Sequence, residues 1–188
     1  ATDLVRAARA AGTDLSALAA AELCGILRVQ GDRLTFPQPM ARTVTYDEAP
    51  MGQRRDAHRL LAETLDPDRH RLRYAVHRAA GATDPTPAEV AELAAAASQA
   101  SGPEAADALE RAADLTADPD VAAARLVAAA GHAWAAGHSH RARMLLRRAH
   151  RGGELLTGEI ELRAGAPASA LRSLLTAATR PEQAGRAL

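Results

Sequence analysis

A short strand-like hairpin in an otherwise helical sequence places the strongest constraint on how this chain can fold. It lies in the stretch from Leu23 to Leu65, where apolar residues flank a Gly31-Asp32 turn: Ile26, Leu27, Val29, Leu34 and Phe36. Pro37 and Pro39 follow, and strand pairing should stop there because proline cannot donate to a ladder. A hairpin of this size beside helices predicts a winged-helix-like module.

The rest of the sequence favours helices that pack closely. About a quarter of the residues are alanine, the best helix former. Aromatic residues make up only 2%. Small side chains let helices approach one another, which favours stacked helical hairpins over sandwiches or α/β sheets.

Prolines and glycines divide this helical sequence. Residues 81–87 contain a glycine, two prolines, two threonines and an aspartate, and are predicted to be a linker. We expect 1–80 to hold the winged-helix-like module with the helices after it, and 88–188 to form a helical arm. Thr13 or Asp14 should cap a helix that stops at Gly25. The other helices are predicted over 2–11, 40–49, 53–65, 69–80, 87–100, 103–116, 119–136, 139–150, 154–164 and 168–179.

The segment 53–65 shows the clearest helical pattern. Apolar residues recur at spacings of three and four, which predicts a buried face made of Ala57, Leu60, Leu61, Thr64 and Leu65. Charged residues should then cover the opposite, exposed face: Arg54, Arg55, Asp56, Arg59 and Glu63.

Three predicted helices share an internal pattern of alanine, leucine four residues later and alanine three residues after that. It occurs at Ala105, Leu109 and Ala112, at Ala142, Leu146 and Ala149, and at Ala170, Leu174 and Ala177. Helical hairpins with this pattern resemble tetratricopeptide repeats, although the last two copies are closer than the usual spacing of about 34 residues. The short spacing indicates either a degenerate repeat or a missing stretch near Gly152-Glu154. We therefore predict a mainly α fold: a winged-helix-like module with one short β-hairpin, followed by tetratricopeptide-like antiparallel helical hairpins.

Composition argues against several classes of protein. Lys+Arg and Asp+Glu are 23 each, so the formal net charge is zero, which is unlike a nucleic-acid-binding domain. No apolar run approaches the ~20 residues of a membrane span, and no secretory signal pattern opens the sequence. The single cysteine, Cys24, fits a reducing compartment. We expect a cytoplasmic chain without nucleic-acid or membrane contact, and its abrupt helical start predicts a fragment of a longer protein.

Two clusters of side chains could bind a ligand. One predicted hairpin contains four histidines, His132, His138, His140 and His150. Zinc needs three or four converging ligands and no cysteine lies nearby, so exposed or helix-end histidines are the simpler interpretation. The arginines from Arg141 to Arg151 have no acidic neighbour on their own helix. They could bind an anion or a partner, or they could form a solvated face with cations favoured near the helix C-terminus.

No catalytic motif is present in the sequence. There is no Gly-x-Ser-x-Gly elbow, and the phosphate loop that ends in Gly-Lys-[Ser/Thr] cannot occur because the chain has no lysine. We therefore predict no catalytic, cofactor-binding or metal-binding residue, and no enzyme activity within these 188 residues.

The order of motifs between Leu23 and Leu65 resembles the large ATP-binding regulators of the LuxR type, members of the signal-transduction ATPase group in actinobacteria. The matching segments are Gly25-Ile26-Leu27, Gly31-Asp32-Arg33-Leu34, Phe36-Pro37-Gln38-Pro39-Met40, Pro50, Arg54-Arg55, His58 and Leu61-Ala62-Glu63-Thr64-Leu65. Later segments are also similar to that family: Arg71 to Ala75, Leu109 to Thr116 and Gly158 to Gly165.

This resemblance implies the central region of a bacterial transcriptional regulator, with an ATPase domain before it and a DNA-binding helix-turn-helix domain after it. The region would be a non-catalytic sensor that binds an effector or a protein partner through its helical arm and holds its own ATPase domain at rest. ATP or ADP would bind that ATPase domain. Gln38 stands where the family has a histidine that faces the nucleotide phosphates, and an amide can donate a hydrogen bond but carries no charge.

Two other interpretations follow from the helical hairpins. A free-standing helical-repeat adaptor would bind a peptide in a concave groove of the arm. A helical enzyme would instead use the histidine hairpin with a transition metal.

Overall fold

A computed structural model of the protein describes residues 2–12, 16–31 and 33–179. These residues are mainly helical, with one short two-stranded antiparallel hairpin, as the sequence predicts. The chain divides into two compact units, unit 1 over residues 1–85 and unit 2 over residues 86–188. None of the described helices combines the length and the apolarity that a membrane crossing requires.

Unit 1 places a hairpin between short helices. Its described elements are α1 (Thr2–Ala10), α2 (Ser16–Leu23), β1 (Arg28–Gln30), β2 (Arg33–Thr35), α3 (Pro39–Glu48), α4 (Met51–Thr64) and α5 (Arg71–Gly81). The predicted helices agree with these bounds to within two residues at each end. The predicted caps Thr13 and Asp14 lie outside the described residues.

The hairpin forms where the sequence predicts it. β1 and β2 pair antiparallel, with Val29 opposite Leu34 and Gln30 opposite Arg33, which leaves a two-residue turn. Gly31 takes a φ of 57°, the left-handed conformation that such turns require. Asp32, the other turn residue, lies outside the described residues. The Val29 amide also donates to the Glu22 carboxylate on α2, at 3.2 Å, which ties the hairpin to the preceding helix.

The inner face of α4 differs from the predicted one. Ala57 is exposed, whereas Ala62 is buried and Arg55 is half-buried. The reason is the close approach of Gly81, at the end of α5, to α4. A Cβ added at Gly81 would lie 2.8 Å from Cγ of Arg59 and 3.4 Å from the backbone oxygen of Arg55. Helix α5 therefore packs against the backbone of α4 at Arg55, while Asp56, Arg59 and Glu63 stay exposed as predicted.

The burial of the other apolar residues of α4 agrees with the prediction, whereas that of Arg54 does not. Leu65 is buried, and the remaining apolar members are half-buried: Leu60, Leu61 and Thr64. Arg54 was predicted to be exposed but is half-buried, and its guanidinium lies 5.1 Å from the ring centroid of Tyr46 on α3.

Unit 2 is a series of helices joined by short turns. Its described elements are α6 (Pro87–Ser98), α7 (Pro103–Asp114), α8 (Pro119–Ala135), α9 (Ser139–Ala149), α10 (Glu154–Arg163) and α11 (Pro167–Ala178). Proline opens four of them at N1, where its missing N–H leaves no hydrogen bond unmade: α6, α7, α8 and α11. The predicted linker 81–87 is shorter in the structure, because its first residue ends α5 and its last begins α6.

Alanines and a few larger side chains form the core of unit 2. The alanines of the internal pattern are buried in α7, α9 and α11 alike: Ala105, Ala112, Ala142, Ala149, Ala170 and Ala177. The large side chains that are almost completely buried are Leu93, Leu109, Leu145 and Ile160. Equivalent positions are thus buried in three helices, and the relation to tetratricopeptide repeats stays a prediction.

Glycines allow the closest contacts around α10. Gly153 precedes this helix, and a Cβ there would clash with Cδ2 of Leu146 on α9. Gly158, in the middle of α10, packs against Leu174 and the backbone oxygen of Ala170 on α11. The break at Gly152-Gly153 is therefore a tightly packed turn onto α9.

Candidate functional site

The four histidines of the predicted hairpin lie near the end of α8 and along α9. His138 and His150 flank α9, where His150 ends the helix with a φ of 59°. His138, His140 and His150 are exposed, while His132 is half-buried within α8. In residues 2–12, 16–31 and 33–179, no group of three or more potential ligands could hold a metal ion.

Two of the four arginines of α9 pair with carboxylates of another helix, which corrects part of the expectation from the sequence. Arg141 pairs with Glu110 at 2.8 Å and with Asp107 at 2.5 Å, both on α7. Arg148 pairs with Asp114 at 2.6 Å and also contacts Glu110. The carboxylates come from another helix, so a count of charges along α9 could not find them.

The end of α9 is compensated in the same way. Arg151, just beyond the helix, pairs with Asp120 on α8 at 2.5 Å. Burial lowers the pKa of Arg141, but its hydrogen bonds to Glu110 and Asp107 outweigh burial, so the pKa is raised overall. The ion pairs of these arginines therefore link α9 to α7 and α8.

Two arginines of α9 remain without a carboxylate partner in the described residues, Arg143 and Arg147. A helix turns about 100° per residue, so these two lie on one side of α9 and Arg141 lies on roughly the opposite side. The Arg147 guanidinium donates only to the thioether sulfur of Met144, a weak acceptor, at 2.6 Å. Both side chains are exposed, and their cationic heads are available to a ligand.

These two arginines line a groove between α9 and α10, which we call the α9–α10 groove. It has a volume of about 250 Å³ and is lined by Arg143, Leu146, Arg147, Thr157, Ile160 and Glu161. Leu146 and the buried Ile160 supply its apolar surface. Glu161 accepts a hydrogen bond from the Ser173 hydroxyl on α11, at 2.9 Å. The groove combines two cations on one wall with a hydroxyl and a held carboxylate on the other.

Gln38, the residue singled out by the resemblance, lies at the surface of unit 1. It is the N-cap of α3, with φ −104° and ψ 114°, and its side chain makes no capping hydrogen bond. The amide is exposed and uses none of its capacity on the helix below it.

A group of polar rings in unit 1 was missed by the sequence analysis. Nδ1 of His58 and Nδ1 of His77 are 2.8 Å apart, and Nε2 of His58 lies 3.0 Å from the Tyr46 hydroxyl. These three hydrogen-bonded side chains connect α3, α4 and α5. His58 appeared only as part of a motif, and nothing in the spacing pointed to His77, which is 19 residues away.

The environment of this pair favours the neutral form of each imidazole. Burial lowers the pKa of His58. Burial also lowers the pKa of His77 to about 4, with further contributions from the neighbouring His58 and Arg73. A hydrogen bond between two Nδ1 atoms needs one ring that donates an N–H and one neutral ring that accepts it, so protonation of both rings would break it.

Searches for similar proteins give no match: no protein-family model, no curated protein and no solved structure is significantly similar to this chain.

Proposed function

We propose that residues 1–188 form the central region of a multidomain, ATP-dependent transcriptional regulator of the LuxR type in the bacterial cytoplasm. In this proposal the region is a non-catalytic sensor. It binds an effector or a protein partner through its helical arm and couples that event to an ATPase domain and a DNA-binding domain outside these residues. The observation that carries the proposal is the order and spacing of the motifs from Leu23 to Leu65.

The geometry of unit 2 supports a binding role for the arm. Two of the four arginines of α9, Arg141 and Arg148, are engaged with carboxylates on α7, whereas the exposed Arg143 and Arg147 lie beside an apolar surface. Clefts that enclose a small molecule usually measure about 300–1,000 Å³, and the α9–α10 groove is smaller. A protein partner that inserts one or two side chains is therefore favoured over an enclosed effector.

The complete reading frame tests this proposal. The family requires a phosphate loop of the Gly-x-x-x-x-Gly-Lys-[Ser/Thr] type before these residues and a helix-turn-helix after them. Sequencing that finds neither motif would refute the proposal. Gln38 stands where the family has a histidine that faces the nucleotide phosphates, and this departure leaves the nucleotide contact open.

A free-standing adaptor is the second candidate function. It is favoured by the compact unit 2, which has a core of its own around Leu109, Leu145 and Ile160. If the chain is an adaptor, residues 88–188 alone should capture a partner in a pull-down without the N-terminal part. A reading frame with neither an ATPase motif nor a helix-turn-helix would favour the adaptor over the regulator.

A further inference from the structure

We infer that the α9–α10 groove binds an acidic peptide segment of a partner protein, with carboxylates on Arg143 and Arg147 and an apolar side chain over Leu146. This inference deepens the proposed binding role of the arm and rests on it. The groove combines a doubly cationic wall, an apolar surface and hydrogen-bonding groups opposite the cations.

Charge selects the sign of the ligand. Arg143 and Arg147 are separated by one helical turn, which puts their Cβ atoms about 5–6 Å apart. Neither forms an ion pair with a carboxylate in the part of the chain that the structure describes. Charge-assisted hydrogen bonds to carboxylates are the strongest contacts available to a guanidinium at such a surface. Two acidic side chains on one face of a peptide match this spacing.

The opposite wall selects a peptide over a simple anion. Glu161 accepts one hydrogen bond from Ser173 and keeps capacity for another donor, and the Thr157 hydroxyl lies on the same wall. A fully ionised anion such as sulfate has no donor to offer Glu161 and would be repelled by it. The backbone of a peptide supplies N–H donors beside its acidic side chains, so it can satisfy both walls.

The apolar surface favours a ligand with a hydrophobic anchor. Leu146 is half-buried, and Ile160 lies beneath the surface, at 1% exposure. A volume of about 250 Å³ can take one or two side chains of a partner. The expected ligand is thus a short segment in which aspartate or glutamate flanks a leucine, isoleucine, methionine or phenylalanine.

Selection from a random library of short peptides displayed on phage tests the inference with the whole 188-residue chain as bait. The test variant is Arg143→Gln with Arg147→Gln. The control is Arg111→Gln with Arg172→Gln, which removes the same charge from exposed arginines that do not line the groove. Selected peptides are then synthesised and titrated by fluorescence anisotropy, together with versions in which each Glu and Asp becomes Gln and Asn.

The inference predicts acidic peptides with an apolar residue, which lose at least about tenfold in affinity on the Arg143/Arg147 variant and little on the control. Affinity should also fall as salt is raised. Selected peptides that are not acidic, or that bind both variants equally, would overturn the inference and leave the binding role of the arm intact. Selection of no peptide at all would contradict the binding role as well.

Discussion

Gly158→Ala tests the tightest helix contact in unit 2. Gly158 lies in the middle of α10, where the backbone of α11 packs close against it. A methyl group there would meet Cγ of Leu174 at 2.6 Å, its Cδ2 at 2.7 Å and the backbone oxygen of Ala170 at 3.3 Å. Carbon atoms in good contact are about 3.5–4.0 Å apart, so Leu174 or all of α11 must move by roughly 1 Å.

The expected cost combines two opposing contributions. Overpacking a close contact costs about 1–3 kcal/mol. Replacing glycine by alanine inside a helix returns about 0.5–1 kcal/mol. We therefore expect Gly158→Ala to lower the free energy of unfolding of unit 2 by about 1 kcal/mol. The matched control is Gly131→Ala in α8, where no atom lies within 4 Å of the added methyl, and it should raise stability by about 0.5–1 kcal/mol.

Urea denaturation followed by the fluorescence of Trp134, the only tryptophan of the chain, measures both variants. Trp134 reports on the relevant helices because the Arg163 guanidinium of α10 lies 5.5 Å from the centroid of its ring. The two variants should shift the midpoint in opposite directions, with thermal midpoints that differ by several degrees, at about 4–8 °C per kcal/mol. If Gly158→Ala is as stable as Gly131→Ala, the close approach of α10 and α11 is wrong.

Three further predictions concern other contacts. The free energy of unfolding of unit 1 should fall by about 1–2 kcal/mol as the pH is lowered from 6.5 to 4. The reason is that His77 binds a proton in the unfolded chain near its ordinary pKa of 6.5, whereas in the folded chain its pKa is about 4. Urea titrations at each pH should show a smaller loss for His77→Gln. Glu110→Gln weakens the contacts to Arg141 and Arg148 and should lower the free energy of unfolding of unit 2 by about 1 kcal/mol. Asp120→Asn, at the exposed pair with Arg151, should lower it by less than about 0.5 kcal/mol. Equal losses in urea denaturation would contradict the role of Glu110. Thr86→Ala removes the capping box with Glu89 at the start of α6 and should lower the free energy of unfolding of unit 2 by about 1 kcal/mol in urea denaturation. Thr83→Ala, outside the helix, is the control and should change it little.

Local signals in the sequence were sufficient to predict most elements. Asp118 caps α8 through hydrogen bonds from Asp120 and Val121, and prolines open the helices that follow breaks. The hairpin was predictable because Gly31 supplies the one backbone conformation that its turn needs. These are properties of neighbouring residues, and a single sequence contains them completely.

Contacts between distant residues were not predictable in the same way. Arg141 looked uncompensated because its carboxylates, Asp107 and Glu110, lie about 30 residues earlier on a different helix. The half-burial of Arg55 on α4 was missed because Gly81 brings α5 close to the backbone of α4 there. Once the first group of arginines is paired, the same geometry leaves Arg143 and Arg147 beside the α9–α10 groove. The candidate site thus depends on which arginines of α9 the fold pairs with carboxylates.

The rate of ATP hydrolysis by the product of the complete reading frame tests the central claim most directly. The intact protein should be compared with a version that lacks residues 88–188, the proposed sensor arm. If the arm holds an ATPase domain at rest, its removal should raise the rate at least about fivefold, the low end of typical coupling between sites. An unchanged rate, or no hydrolysis by either protein, would contradict the assignment of this chain to a regulator of that kind.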